Sequence, residues 1–109
     1  MSRFVIALAA TLMLAGPALA DDLVTYELTL KGNAFAPAEI KVPTGKPFII
    51  KMTNANAAPA ELEAKELDVE KAAAGNSLIV VKVRAMAPGK YLFVDEYQED
   101  VAKGYVIVE

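Results

Sequence analysis

Apolar and polar residues alternate with a period of two through most of this chain, and this alternation constrains the fold more than any other feature of the sequence. As a β-strand, an alternating segment has one apolar and one polar face, which suits a sheet with one buried side. Turns rich in glycine, proline and asparagine separate the segments, which are short and regularly spaced. The pattern predicts an all-β fold, a β-sandwich of seven to eight strands, mainly from segments 23–31, 39–42, 48–53, 78–85, 91–95 and 105–108.

The segment 60–74 allows two interpretations. It is rich in alanine, glutamate, leucine and lysine, so propensity alone favours a helix. Its apolar residues do not fall on one helical face, however, and several of them alternate with charged residues. The alternation favours strands over the helix, at 61–63 and 66–70, followed by a possible short helix near 71–74.

The first twenty residues predict a cleavable signal peptide, residues 1–20. Arg3 supplies a positive start, and the apolar run 4–16 is too short to span a bilayer comfortably. Ala18-Leu19-Ala20 then has the small-x-small pattern of a signal-peptidase site. We expect export of one mature domain, residues 21–109, into the periplasm of a Gram-negative host, with no membrane span after cleavage.

Composition excludes several classes of function. Without Arg3 the exported chain carries ten basic and fourteen acidic side chains. This balance disfavours nucleic acid and anionic membrane surfaces as partners, because both require cationic patches. The chain has no histidine, no cysteine and only two serines, so a hydrolytic triad and a disulfide are both excluded.

The groups that remain for chemistry are carboxylates, which are concentrated in two stretches of the chain. On a strand, Glu61 and Glu63 project to the same side, roughly 7 Å apart. If the two stretches meet at one end of the sandwich, like charges converge, and a bound cation would relieve their repulsion. Oxygen ligands suit iron, manganese or calcium, and Cu(II) would also bind. The candidate metal ligands are Glu61, Glu63, Glu66, Asp95, Glu96 and Glu99.

An acidic protein can also carry such residues on a solvated surface without binding any metal. That interpretation is favoured for Glu66, Asp68 and Glu70, which alternate with apolar residues, and it stays open for Glu99 and Asp100. The remaining candidates depend mainly on a family resemblance.

Three motifs, in order along the chain, resemble the cupredoxin superfamily. The segment 35–47, FAPAEIKVPTGKP, matches the family pattern F-x-P-x-x-(I/L)-x-V-x-x-G-x-P. Asn54 and its loop lead to PAELE at 59–63, and PGKYLF at 88–93 leads to Gly104. The resemblance covers nearly all of the exported domain and implies a cupredoxin-like Greek-key β-sandwich. The chain is most similar to small periplasmic cupredoxin-like proteins and to the EfeO-type domains linked to bacterial iron-uptake permeases.

The four usual copper ligands of an electron-transfer cupredoxin are absent from the matching positions. Glu61 occupies the position of the first histidine and Asp95 that of the cysteine, while Gln98 and Ala102 occupy those of the second histidine and the methionine. A type 1 copper centre requires a thiolate, so the resemblance does not carry that function over. At these positions the iron-uptake domains resemble this chain more than the electron-transfer cupredoxins do, since they have a Pro-x-Glu-x-Glu motif and an acidic stretch. They often have a histidine, however, where this chain has Gln98.

The resemblance therefore implies a periplasmic, non-blue cupredoxin-like protein that binds iron, or copper, through carboxylates. It would be a component of an iron-uptake system, acting beside an inner-membrane iron permease and periplasmic partner proteins. A second interpretation is a metal-free scaffold that contacts a permease or an oxidase through its acidic end. A redox enzyme is the weakest interpretation, because nothing in the sequence supplies an electron acceptor.

Overall fold

A computed structural model describes residues 23–109 as nine β-strands in two packed sheets, joined by short turns. Two 3₁₀ turns, Lys65–Leu67 and Glu96–Gln98, complete the regular structure of these residues. No helix among them is long and apolar enough to cross a membrane. The predicted signal peptide lies outside the described residues. The strands are β1 Thr25–Lys31, β2 Ala34–Ala36, β3 Glu39–Val42, β4 Phe48–Asn54, β5 Ala60–Ala64, β6 Val69–Ala73, β7 Ser77–Val83, β8 Gly89–Asp95 and β9 Lys103–Val108.

The strands form a four-stranded sheet, in the order β2-β1-β4-β7, and a five-stranded sheet, in the order β3-β9-β8-β5-β6. Both sheets are mixed, since β1 runs parallel to β4 and β3 runs parallel to β9, whereas the other pairs are antiparallel. The prediction of an all-β sandwich is therefore confirmed. Strand β9, which is apolar on both faces, pairs with β3 on one side and with β8 on the other.

The core lies between the two sheets and follows the period-two pattern of the sequence. In β4, Phe48, Ile50 and Met52 are at most 2 % exposed, while the residues between them are half-buried. Aromatic side chains pack edge to face in the core. Phe35 and Phe93 meet between the two sheets, with ring centroids 5.0 Å apart, and Tyr26 and Phe48 pair within the four-stranded sheet, with centroids 5.7 Å apart. Packing of this kind supplies the stability, because the chain has no disulfide.

The ambiguous segment 60–74 is a β-hairpin, in which β5 and β6 pair through the turn at Lys65–Leu67. The strand expected at 61–63 is confirmed. The strand expected at 66–70 begins only at Val69, and the short helix near 71–74 is wrong, because 71–73 continue β6. Helix propensity does not predict the structure of this segment, because the hairpin buries a row of apolar side chains against the core. A helix would distribute these side chains around its surface. They are Ala60, Leu62, Ala64, Val69 and Ala73.

Gly104 lies where the closing strand β9 passes closest to the core. It pairs with Phe93 across the sheet, and a Cβ atom at this position would lie 2.5 Å from the Phe93 ring and 2.7 Å from the carbonyl oxygen of Ala38. Neither neighbour can retreat easily, since the ring is fully buried and the oxygen accepts a hydrogen bond from the Tyr105 amide. Glycine is therefore required by space at this end of the sandwich.

We expect Gly104→Ala to lower the free energy of unfolding by about 1–3 kcal/mol, the usual cost of overpacking a core. Gly89→Ala is the matched control, because its Cβ would approach only the flexible end of the Tyr91 side chain, at 3.2 Å. Urea denaturation of the two variants measures the difference. Equal stability of both variants would contradict this account of the packing.

Candidate metal site

Asp95, the last residue of β8, is the only fully buried carboxylate among the described residues. It lies opposite Leu62 on the core side of the sheet and is 2 % exposed. A buried carboxylate is costly unless hydrogen bonds replace its lost hydration. The donors around Asp95 therefore decide whether its oxygens are available to a metal.

Both carboxylate oxygens of Asp95 accept hydrogen bonds from the protein. Oδ1 accepts from the backbone amides of Glu61 and Tyr97, at 3.0 and 3.2 Å, and Oδ2 accepts from Nε2 of Gln98 at 2.9 Å. The bond to Tyr97 caps the 3₁₀ turn at Glu96–Gln98, and the bond to Glu61 ties β5 to the end of β8. Asp95 thus serves as a structural tie at the position that the resemblance assigned to a cysteine ligand.

The hydrogen bonds continue from Asp95 into two neighbouring loops. Gln98 Nε2 also donates to the carbonyl oxygen of Gly32, whose amide donates to Oδ1 of Asn56 at 2.7 Å. Asn54 is fully buried, and its amide nitrogen donates to the carbonyl oxygens of Ala58, Ala73 and Ala74. Three loops at this end of the sandwich are consequently held together by side-chain amides and one carboxylate.

Asp95→Ala should destabilise the fold by roughly 2–4 kcal/mol in the presence of a chelator. It leaves two backbone amides without their acceptor, and hydrogen bonds to a charged group each contribute about 1.5–3 kcal/mol. Asp100→Ala, in the exposed part of the same loop, is the control and should change stability little. Urea denaturation checks both values, and a neutral effect of Asp95→Ala would show that the tie is dispensable.

The carboxylates that do come together lie on the outer face of the five-stranded sheet. Glu61 on β5, Glu70 on β6 and Glu96 in the 3₁₀ turn each offer an oxygen atom, and these three oxygens all lie within 4.8 Å of one another. Glu61 and Glu96 are half-buried, and Glu70 is exposed. We call this group the Glu61–Glu70–Glu96 cluster. It is a set of hard oxygen atoms that could hold one metal ion.

The proximity of these carboxylates raises the pKa of Glu61. Its pKa is raised from the ordinary 4.5 to about 7, first by a side-chain hydrogen bond with Glu96. Partial desolvation is the second cause, and repulsion from the charges of Glu96 and Glu70 follows. In the absence of a cation, Glu61 therefore holds a proton near neutral pH.

This raised pKa predicts a pH-dependent difference between the wild type and Glu61→Gln. The folded protein binds a proton at Glu61 below about pH 7, whereas the unfolded chain does so only below about 4.5. The charged form is the disfavoured one, so the wild type should lose stability relative to Glu61→Gln as pH rises from 4.5 to 7. Urea denaturation across this range with a chelator present measures the difference, with Glu27→Gln as the control for an exposed glutamate on the other sheet. A difference that is constant with pH would contradict the cluster geometry.

The other predicted ligands lie outside the cluster. Glu63 is directly opposite Glu70 in the β5–β6 hairpin, and together with Glu66 and Glu99 it lines a depression of about 260 Å³ on the same outer face. Lys65 shares this depression, with Leu92 and Val94 at its floor. Of the six predicted residues, the structure therefore brings Glu61 and Glu96 together, places Asp95 beneath them, and sets the remaining three to one side.

Glu70 is the residue of the cluster for which the alternating sequence pattern favoured a place on the solvated surface. Its position depends on the hairpin, since the register pairs Glu63 with Glu70 and sets Glu70 diagonally from Glu61. Interpreting 60–74 as two strands joined at 65–68 would have indicated this proximity. The strand expected at 66–70 gave no such pairing between Glu63 and Glu70, because it began three residues too early.

The described residues thus form a two-sheet β-sandwich whose end loops are held by a carboxylate and side-chain amides. A family model described as "Cupredoxin-like domain" matches residues 4–108. The chain belongs to the cupredoxin-like domain family. Since it has no cysteine, a type 1 copper centre is excluded.

Comparison with known proteins gives relatives of low sequence identity and similar fold. An uncharacterized protein of Rickettsia prowazekii (strain Madrid E), RP394, is 27 % identical over 88 residues, covering 81 % of this chain and 70 % of the relative. The metal-binding domain of the Cu(I)-exporting P-type ATPase CopA of Streptococcus pneumoniae D39 aligns with a TM-score of 0.71 at 16 % identity, over 82 % of this chain and 89 % of that one. Auracyanin A, a "blue" copper protein of Chloroflexus aurantiacus, aligns with a TM-score of 0.70 at 20 % identity, over 81 % and 100 %. At these identities the two solved structures establish the shared fold.

Proposed function

We propose that this protein is a periplasmic metal-binding cupredoxin-like protein that holds iron, or copper, through carboxylates as a component of an iron-uptake system. The observation that carries the proposal is the Glu61–Glu70–Glu96 cluster, whose three oxygens lie within 4.8 Å of one another on an exposed sheet face. Glu63, directly opposite Glu70 in the hairpin, lies just outside the cluster.

The donor set favours hard cations. Carboxylate oxygens suit Fe(III), Fe(II) and Mn(II), and Cu(II) binds most N and O sites tightly because of its position in the affinity order. A cation among the three carboxylates would remove the repulsion that raises the pKa of Glu61. Metal binding should therefore release the proton held by Glu61 near neutral pH.

The position of the cluster suits transfer of a metal to a partner. Glu70 is exposed and the other two glutamates are half-buried, so a bound ion would be accessible from solvent without opening the core. The role beside an inner-membrane iron permease comes from the resemblance to the iron-uptake domains. Deletion of the gene should reduce uptake of radioactive iron by cells under iron limitation if this role is correct.

Calorimetric titration with Fe(III), Fe(II), Cu(II), Mn(II) and Ca(II) tests the site itself. We expect one ion per chain for at least iron or copper, and Glu61→Gln, Glu70→Gln or Glu96→Gln should each weaken binding more than about tenfold. Even the loss of an outer hydrogen-bond partner of a metal site usually weakens binding 10–100-fold, and these variants remove a ligand.

Glu27→Gln and Glu39→Gln are the matched controls, because both are exposed strand glutamates away from the cluster. They should leave the affinity unchanged. If all five variants bind alike, or if the wild type binds no metal more tightly than scattered surface carboxylates do, the proposed metal site is wrong.

One observation favours a second candidate function, a metal-free scaffold that docks onto a permease or an oxidase. Both carboxylate oxygens of Asp95 accept hydrogen bonds that hold the end loops together, so this carboxylate serves the scaffold itself. In that case, glutamate-to-glutamine changes in the cluster would weaken partner binding in a salt-dependent way and would leave no metal effect to remove.

A further inference from the structure

The two sheets of the sandwich end in four edge strands, and three of these carry features that prevent pairing with another strand. Strand β2 has only three residues and is followed by Pro37. Strand β3 has four residues, two of them exposed and charged, and is followed by Pro43. Strand β6 places two adjacent charges, Glu70 and Lys71, on opposite faces of its sheet. Short length, proline and charge are the usual protections of an edge.

The fourth edge strand, β7, lacks these protections. It runs for seven residues, SLIVVKV, with no proline or glycine and with a single charge, Lys82. Within residues 23–109 it pairs with β4 alone, so every second backbone N–H and C=O along its other side has no strand partner in that part of the chain. On its outer face, Leu78 is 50 % exposed and Val80 is 51 % exposed. An edge of this length and composition favours the addition of another strand.

We propose that the strand added to β7 is β7 of a second copy of this chain, in antiparallel orientation about Val80. In this register Val80 faces Val80 across the two-fold axis, and Leu78 of each copy faces Lys82 of the other. The two lysines then lie at opposite ends of the pair rather than opposite each other, and each lysine stem covers a leucine. The segment is thus complementary to itself in sequence as well as in backbone hydrogen bonding.

The resulting dimer joins the two four-stranded sheets into one continuous sheet of eight strands. The apolar residues Leu78 and Val80, half-exposed in the single chain, would then have Lys82 and Val80 of the other copy beside them, which cover part of their apolar surface. The Glu61–Glu70–Glu96 cluster belongs to the other sheet, so a test of the dimer and a test of the metal site are independent of each other.

Cross-linking of Val80→Cys tests the register directly, because the chain has no cysteine of its own. Residues directly opposite in an antiparallel pair have Cα atoms about 4.5–5.5 Å apart, within the range that a disulfide spans. Under oxidised glutathione we expect Val80→Cys to form disulfide-linked dimers at least about tenfold faster than Val101→Cys. Position 101 is the control for random collision, since its side chain is equally accessible, at 55 %. Equal rates at the two positions would overturn the proposal.

Sedimentation equilibrium gives the independent measurement. The wild type should dimerise in a concentration-dependent way, and Val80→Lys should be monomeric, because it places two like charges opposite each other at the axis. Val24→Lys, at a position that is 57 % exposed outside β7, should dimerise like the wild type. A wild type that stays monomeric, or a Val80→Lys variant that still dimerises, would overturn the proposal.

Discussion

The arrangement of this protein depends on one buried carboxylate. Asp95 closes β8 with 2 % of its surface exposed and accepts hydrogen bonds from two backbone amides and one side-chain amide. These bonds join β5, the turn at Glu96–Gln98 and, through Gln98, the β1–β2 turn at Gly32. They replace hydration that the carboxylate loses on burial and so offset the cost of burying it.

Fixing Asp95 in this way also positions the cluster on the surface. The backbone of Glu61 is held by Asp95 from below, and Glu96 follows Asp95 directly in the chain, so their side chains meet on the outer face of the sheet. Glu70 joins them from the neighbouring strand. The end of a cupredoxin-like fold thus carries two kinds of carboxylate, one that organises loops within the protein and three that lie open to a cation. The proposed surface site for hard metals, without a thiolate centre, depends on this separation.

The fold could be predicted from the sequence because it depends on local alternation. The pattern of Phe48, Ile50 and Met52 indicated which face of β4 is buried. The close packing that requires glycine at position 104 became visible only in the structure. The hairpin at 60–74 was harder, since helix-favouring residues were overridden by strand pairing. Glu70 depends on the register of this hairpin, which the strand boundary expected at 66 missed. The bonds of Asp95 were beyond local patterns, because they include the contact with the Glu61 amide, 34 residues apart in the chain.

We propose that a metal binds at the Glu61–Glu70–Glu96 cluster and not at Asp95, the position matched to the blue-copper cysteine. Anomalous diffraction from crystals soaked in iron or copper salts distinguishes these two positions, because the peak locates the ion. We expect one strong peak within coordination distance of carboxylate oxygens of Glu61, Glu70 and Glu96, with the Asp95 hydrogen bonds intact. A peak coordinated by Asp95, or no ordered peak at the cluster at saturating metal, would contradict it.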